Sequence, residues 1–202
     1  MQKAMVVVIL MASLIVGGFV TAEALTFDYT GVVTIASDSD ATLAAVYPVG
    51  TPAALSFTFD ALALPSPCCS TPTFSQYIDV ISAAQVTLGA QTWSLDTVGA
   101  GPGGVMNDIY IDPSNYTLGF PLSGPTVGGH YTASTLGFAL GFSEPVFSSP
   151  FPLPLTAPNP FDPLVISRQL LVDFVDLNNP TGNLDGVEVN WTPKPGGSDG
   201  GA

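Results

Sequence analysis

The sequence predicts an all-β protein, an antiparallel β-sandwich or jelly roll. Three observations carry that expectation: apolar residues that alternate with a period of two, turn formers between those runs, and a content of 21 Gly and 19 Pro that leaves little room for a long helix.

The chain opens Met1-Gln2-Lys3, runs apolar from Ala4 to Val20, and reaches the small-x-small site Ala22-Glu23-Ala24. That is the layout of a secretory signal peptide, so residues 1–24 are expected to be removed and Leu25 to become the new N-terminus. The apolar run is broken by Ser13 and Gly17-Gly18 and falls short of the roughly 20 apolar residues a membrane span needs. No later stretch comes closer, and the mature chain is expected to be soluble, without a membrane span. Residues 25–191 then form a single β domain.

Within it, Leu25, Phe27 and Tyr29 take one face of a first strand while Thr26 and Asp28 take the other. The same alternation marks Leu55–Asp60, Trp93–Asp96, Asp108–Asp112, Tyr116–Phe120 and Leu136–Phe142. Leu170, Val172 and Phe174 make a further strand, and Val187–Trp191 closes the series. Turns are expected at Leu88–Gln91, Gly99–Gly104, Asp112–Asn115 and Asn178–Gly182. Ala41–Tyr47 and Ser75–Ala84 are the least strand-like segments, and each is expected to hold a helical turn or two. Residues 144–163 carry seven prolines and cannot supply a central strand, because proline has no N–H to donate. They read as a stiff connector between sheets, with a docking ligand for an aromatic-lined groove as the minority reading. Residues 192–202, rich in Gly and Pro, are expected to be disordered.

The chain carries 16 acidic and three basic residues, for a net charge of -13; loss of Lys3 and Glu23 with the leader removes one of each sign and leaves that charge unchanged. Nucleic acid and anionic membrane surfaces are therefore poor partners, since both demand clustered Lys and Arg. Cations, polysaccharides and other extracellular matrix components remain as partner classes.

Few residues have the chemistry for catalysis. His130 is the only histidine, in Gly128-Gly129-His130-Tyr131, with no Gly-x-Ser-x-Gly element to supply a nucleophile. One histidine and two adjacent cysteines do not make a tetrahedral zinc set. Calcium prefers carboxylate and amide oxygens on loops, and Asp173, Asp176, Asn178 and Asp185 are the candidate ligands. An EF-hand is excluded there, because Pro180 stands where a ligand belongs and Val187 where the closing Glu should be. Solvated turn formers are the competing reading of these residues. Cys68 and Cys69 lie in a polar loop flanked by Pro65, Pro67 and Pro72. A strained vicinal ring, intermolecular bridges and two free thiols are the three options, and in an oxidising compartment the pair is expected to be oxidised. Trp93 and Trp191 have the flat faces a sugar-stacking platform uses, yet both sit in phase with apolar neighbours, which points them to the core.

Thr26-Phe27-Asp28-Tyr29-Thr30-Gly31-Val32-Val33-Thr34, then Val49-Gly50-Thr51, then Phe57-Thr58-Phe59-Asp60 form an order of motifs. With Val86-Thr87-Leu88-Gly89 and Leu184-Asp185-Gly186-Val187, it resembles the β-rich exported proteins of Gram-negative bacteria that often carry a PEP-CTERM sorting tail. The resemblance implies export and a β-rich fold, and carries no functional residues with it. The Pro-Glu-Pro signal, apolar helix and terminal arginine cluster of such a tail do not follow Trp191, where Thr192-Pro193-Lys194-Pro195 stands.

The expected function is thus that of a secreted or periplasmic, non-catalytic β-sandwich domain with a structural or surface-interaction role and no cofactor. A carbohydrate- or calcium-binding module is the alternative. A carboxylate-based glycoside hydrolase is a distant one, because the spacing of paired carboxylates lives in three dimensions.

Overall fold

The computed structural model describes residues 24–38, 40–97, 107–148, 151–180 and 185–193, with the backbone alone at 170 and 191–193. The leader up to residue 23, the Gly99–Gly104 turn, residues 181–184 and the tail from 194 lie outside that set. The strands are β1 (Ala24–Ser37), β2 (Pro52–Asp60), β3 (Ser75–Ile78), β4 (Ile81–Leu88), β5 (Gln91–Leu95) and β6 (Asp108–Asp112). Then follow β7 (Asn115–Ser123), β8 (Thr126–Val127), β9 (Tyr131–Phe142), β10 (Val165–Asp176) and β11 (Asp185–Pro193), while α1 (Thr42–Val46) is a single helical turn.

Every strand pairing is antiparallel. The all-β, antiparallel expectation therefore holds. The sheet arrangement is more specific than a two-layer sandwich or jelly roll: β1, β2, β4, β5, β7, β9, β10 and β11 follow one another in a hydrogen-bonded ring that closes on itself. The seam is narrow. β5 meets β7 only at Ser94↔Ser123 and Leu95↔Leu122, because β6 occupies the rest of that edge of β7. β3 extends outward from β6.

The alternating pattern dictates this closure. Leu25, Phe27 and Tyr29 pair directly with Phe59, Phe57 and Leu55 on the inner face, where Phe27 meets Phe57 and Phe59 edge-on at ring-centroid distances of 5.6 and 5.0 Å. On the outer face Thr26 and Thr58 share a hydroxyl hydrogen bond of 2.8 Å. A slip of one residue would turn every aromatic ring out to water, so burial fixes the register. Eight strands enclose a space just wide enough for side chains to fill. Phe120, Tyr116, Phe138, Phe174 and Trp93 fill it from the other strands, and all are fully buried. The outer face of β1 and β2, with Thr26, Asp28, Thr58 and Asp60, is the reverse of the apolar band that lipid-facing barrels present.

Both ends of the barrel are plugged. Leu43, within the single turn of α1, and Tyr47, just after it, are buried at the end where β1 finishes. At the other end, residues 143–148 and 151–164 lie across the opening between β9 and β10. This strap corrects the expectation of a connector between sheets: it leaves from Phe142 and returns at Val165, which are partners in one hairpin. Its own Phe151 and Leu153 are buried, and the hydroxyls of Tyr29 and Tyr77 donate to the carbonyls of Pro158 (3.1 Å) and Phe151 (2.9 Å).

The helical turn expected at 41–47 is present as α1. Ser75–Ala84 is not helical but forms β3 and the start of β4. A bulge explains the misreading: Phe59 faces Ile81 while Thr58 faces Ala83, so the pairing skips Ser82 and the inward residues of β4 fall at Ile81, Ala84, Val86 and Leu88. Period-two reading fails across such a break. The tail expectation also shifts, since β11 continues past Trp191 to pair Thr192 with Thr30 and Pro193 with Tyr29.

Candidate functional site

At the α1 end, His130 sits in the turn between β8 and β9. Its Nε2 lies 2.8 Å from Asp40 Oδ2, and its Nδ1 lies 3.0 Å from the Gly128 carbonyl. Asp40 precedes α1 and accepts the Thr42 amide at 3.0 Å, while Asp38 accepts the Leu43 amide at 2.6 Å. The pair thus ties the start of α1 to the β8–β9 turn. Both ring nitrogens of His130 are committed, which is a clamp's geometry rather than that of a base beside a nucleophile.

The Gly128 carbonyl, the Asp40 carboxylate and the nearby charge of Asp176 all raise the His130 pKa. The Thr42 amide and hydroxyl, with help from His130, lower Asp40 to about 2. A raised histidine contributes stability that is complete below its unfolded pKa of about 6.5 and is lost as pH climbs through the folded value. A lowered carboxylate contributes stability that is complete above about pH 4 and is lost as pH falls through about 2. The clamp should therefore be strongest between about pH 4 and 6.5. His130 imidazole resonances followed by NMR should titrate with a midpoint above about 6.5, returning toward that value in Asp40→Asn. A midpoint at or below it in the parent would show that the clamp does not form.

Of the four calcium candidates, Asp173 and Asp185 lie on opposite faces. Asp173 points to the outer face, takes a 2.8 Å hydrogen bond from Thr135, and has its pKa raised by burial. Asp185 pairs with the inward Phe174 and so lies on the opposite face. Asp176 accepts the Asn178 amide at 2.8 Å, the hydrogen bond of an Asx turn, with the Asn178 side chain exposed. Among the described residues no three His, Cys, Asp or Glu side chains converge.

Trp93 is fully buried at the α1 end, edge-on to Phe174 at 5.6 Å and to Tyr47 at 6.3 Å, with its indole N–H donating to the Pro125 carbonyl at 3.0 Å. It offers no face to a sugar, and of its two readings the structure shows the core one. Trp191 lies on β11 with its side chain outside the described residues.

At the strap end, Phe142, Phe147, Pro154, Pro158 and Leu164 line a cavity of about 290 Å³, with Asn159 among its polar groups. Asx turns at Asn159 and Asp162 fix this part of the strap, their carboxamide and carboxylate oxygens accepting the amides of Phe161 (3.0 Å) and Leu164 (2.8 Å). Arg168 covers the Phe161 ring at 4.6 Å. Sequence reading missed this cavity. Its only trace was the density of prolines, which does not reveal where the strap lands.

Cys68 and Cys69 lie in the loop between β2 and β3, Cys68 exposed and Cys69 half-buried, with no bond between their sulfurs. The Ser66 hydroxyl lies 3.1 Å from the Cys68 sulfur. On β6, Asp108 accepts Gln76 Nε2 at 2.6 Å, and its pKa is raised by burial and by the charge of Asp79.

Fold and site together define a class: a closed antiparallel barrel with a filled interior, plugged at one end by a helical turn and at the other by a proline-rich strap. No family model, curated protein or solved structure matches the chain.

Proposed function

We propose that this is an exported, non-catalytic β-barrel domain with a structural or surface-interaction role outside the cytoplasm. The observation that supports it best is the filled, doubly plugged barrel. Its interior is spent on aromatic packing, which leaves only outer surfaces and loops to meet a partner. Export itself rests on the leader-like residues 1–24 and on the resemblance to exported β-rich proteins of Gram-negative bacteria. The sandwich or jelly-roll description stays with this reading as well, because a ring closed by two residue pairs is one short seam away from two packed sheets.

Sugar and calcium binding lose support from the burial of Trp93 and the placement of Asp173 and Asp185 on opposite faces. A carboxylate hydrolase is weakened likewise, since Asp108 and Asp173 are engaged by Gln76 and Thr135. Intact mass of the extracytoplasmic product should begin at Leu25. A product that retains residues 1–24 would defeat the export reading. The purified domain should turn over no glycoside or ester in a panel, and calcium should leave its melting temperature unchanged. Turnover abolished by Asp108→Asn would replace this reading with catalysis.

A further inference from the structure

The loop that holds Cys68 and Cys69 is fixed by its own hydrogen bonds. The Ser66 amide donates to the Gln76 carbonyl at 2.7 Å, and the Ser66 carbonyl accepts the amides of Ser70 (3.0 Å) and Cys69 (3.3 Å). The Ser70 hydroxyl accepts the Gln76 amide at 3.0 Å, which ties the turn to β3. On this frame the two thiols are unequal. Cys68 is exposed, with the Ser66 hydroxyl beside its sulfur, whereas Cys69 is half-buried. The neighbouring Cys69 thiol, and after it the Ser66 hydroxyl, hold the Cys68 pKa below the ordinary thiol range, while the Cys68 sulfur and partial burial push Cys69 up against a weaker pull down from Ser66. An exposed, more acidic thiol beside a second, less exposed and less acidic one is the arrangement that sequential exchange requires.

We propose that Cys68 and Cys69 form a thiol–disulfide exchange site for low-molecular-weight disulfides, in which Cys68 attacks and Cys69 resolves. In the first step the Cys68 thiolate attacks one sulfur of a disulfide RS–SR, the S–S bond breaks, and RS⁻ leaves and takes a proton from water. In the second, Cys69 loses its proton to solvent and attacks Cys68 Sγ, expelling the other RS⁻. The protein dithiol gives up two electrons and two protons, and the external disulfide gains them. Adjacent residues have Cα atoms about 3.8 Å apart, closer than the roughly 4.4–6.8 Å of ordinary disulfides. The closed ring is therefore strained and easily reduced, which makes the site reversible rather than a staple. Neither step depends on export of the chain.

Oxidised glutathione added to the purified, reduced chain, with intact mass read over time, tests this. The parent should pass through a single glutathione adduct and end two hydrogens lighter, and Cys69→Ser should stop at a stable adduct. Cys68→Ser should react about tenfold more slowly than Cys69→Ser, and Ser66→Ala should move the pH–rate midpoint upward. In denaturant, where the turn is lost, the two single-cysteine variants should react alike. Equal rates in the folded single variants, or a parent that accumulates two adducts, would overturn the proposal.

Discussion

Trp93→Ala should cost about 3–5 kcal/mol of stability, the range for emptying a large aromatic site in a packed core. The indole is fully buried between Tyr47 of the α1 plug and Phe174 of β10, so its loss opens a cavity where the plug meets the barrel wall. It also strips the Pro125 carbonyl of its donor. Trp93→Phe keeps most of the volume and loses the hydrogen bond, so about 1–2 kcal/mol is expected there. For a chain of this size each kcal/mol moves the melting temperature by roughly 2–4 °C, which makes the alanine variant easy to resolve. Urea midpoints for both variants would measure the difference. An alanine variant within about 1 kcal/mol of the parent would show that Trp93 is not part of the core, and would return it to the sugar-stacking reading.

Phe151→Ala should be nearly as damaging, at about 3–5 kcal/mol, because this strap ring is buried. Its backbone adds a second, sharper expectation. Phe151 has φ of 53°, in the left-handed region that costs a non-glycine residue about 1 kcal/mol. At an ordinary site glycine is less stable than alanine by about 0.5–1 kcal/mol, chiefly through the freedom of its unfolded chain. At 151 that penalty should cancel or reverse, leaving Phe151→Gly equal to or more stable than Phe151→Ala. Paired denaturation curves decide it: a glycine variant weaker than alanine by the usual margin would mean that the strap does not hold this conformation. The Tyr77 hydroxyl donates to the backbone carbonyl of Phe151, which both variants keep, so the tie to β3 should survive wherever the strap backbone does.

The site was legible only where chemistry is local. The Cys68-Cys69 pair was visible as a pair, but nothing in Pro67-Cys68-Cys69-Ser70 says that Ser66 turns back beside Cys68 or that Cys68 is exposed where Cys69 is half-buried. His130 was visible as the single imidazole. Its partner Asp40 is 90 residues away in sequence and meets it only because β1 and the β8–β9 turn finish at the same end of the barrel.

Alternation of apolar residues by itself determined the strands at β1, β2, β5, β6, β7, β9, β10 and β11, because side-chain direction along a strand is set by the chain's own geometry. The prolines of residues 144–163 likewise determined that the described part of this stretch holds no strand. Closure was decided elsewhere. Whether strands stack as two sheets or meet as a ring depends on which edges pair, and edge pairing is a long-range choice with no signature within one strand. The seam at Ser94↔Ser123 and Leu95↔Leu122, the bulge that hid β4, and the return of the strap to its own hairpin are all of that kind. Each joins segments far apart in the chain, and the gain comes from burying Phe27, Phe57, Trp93 and Phe174 together, which only the folded barrel can do.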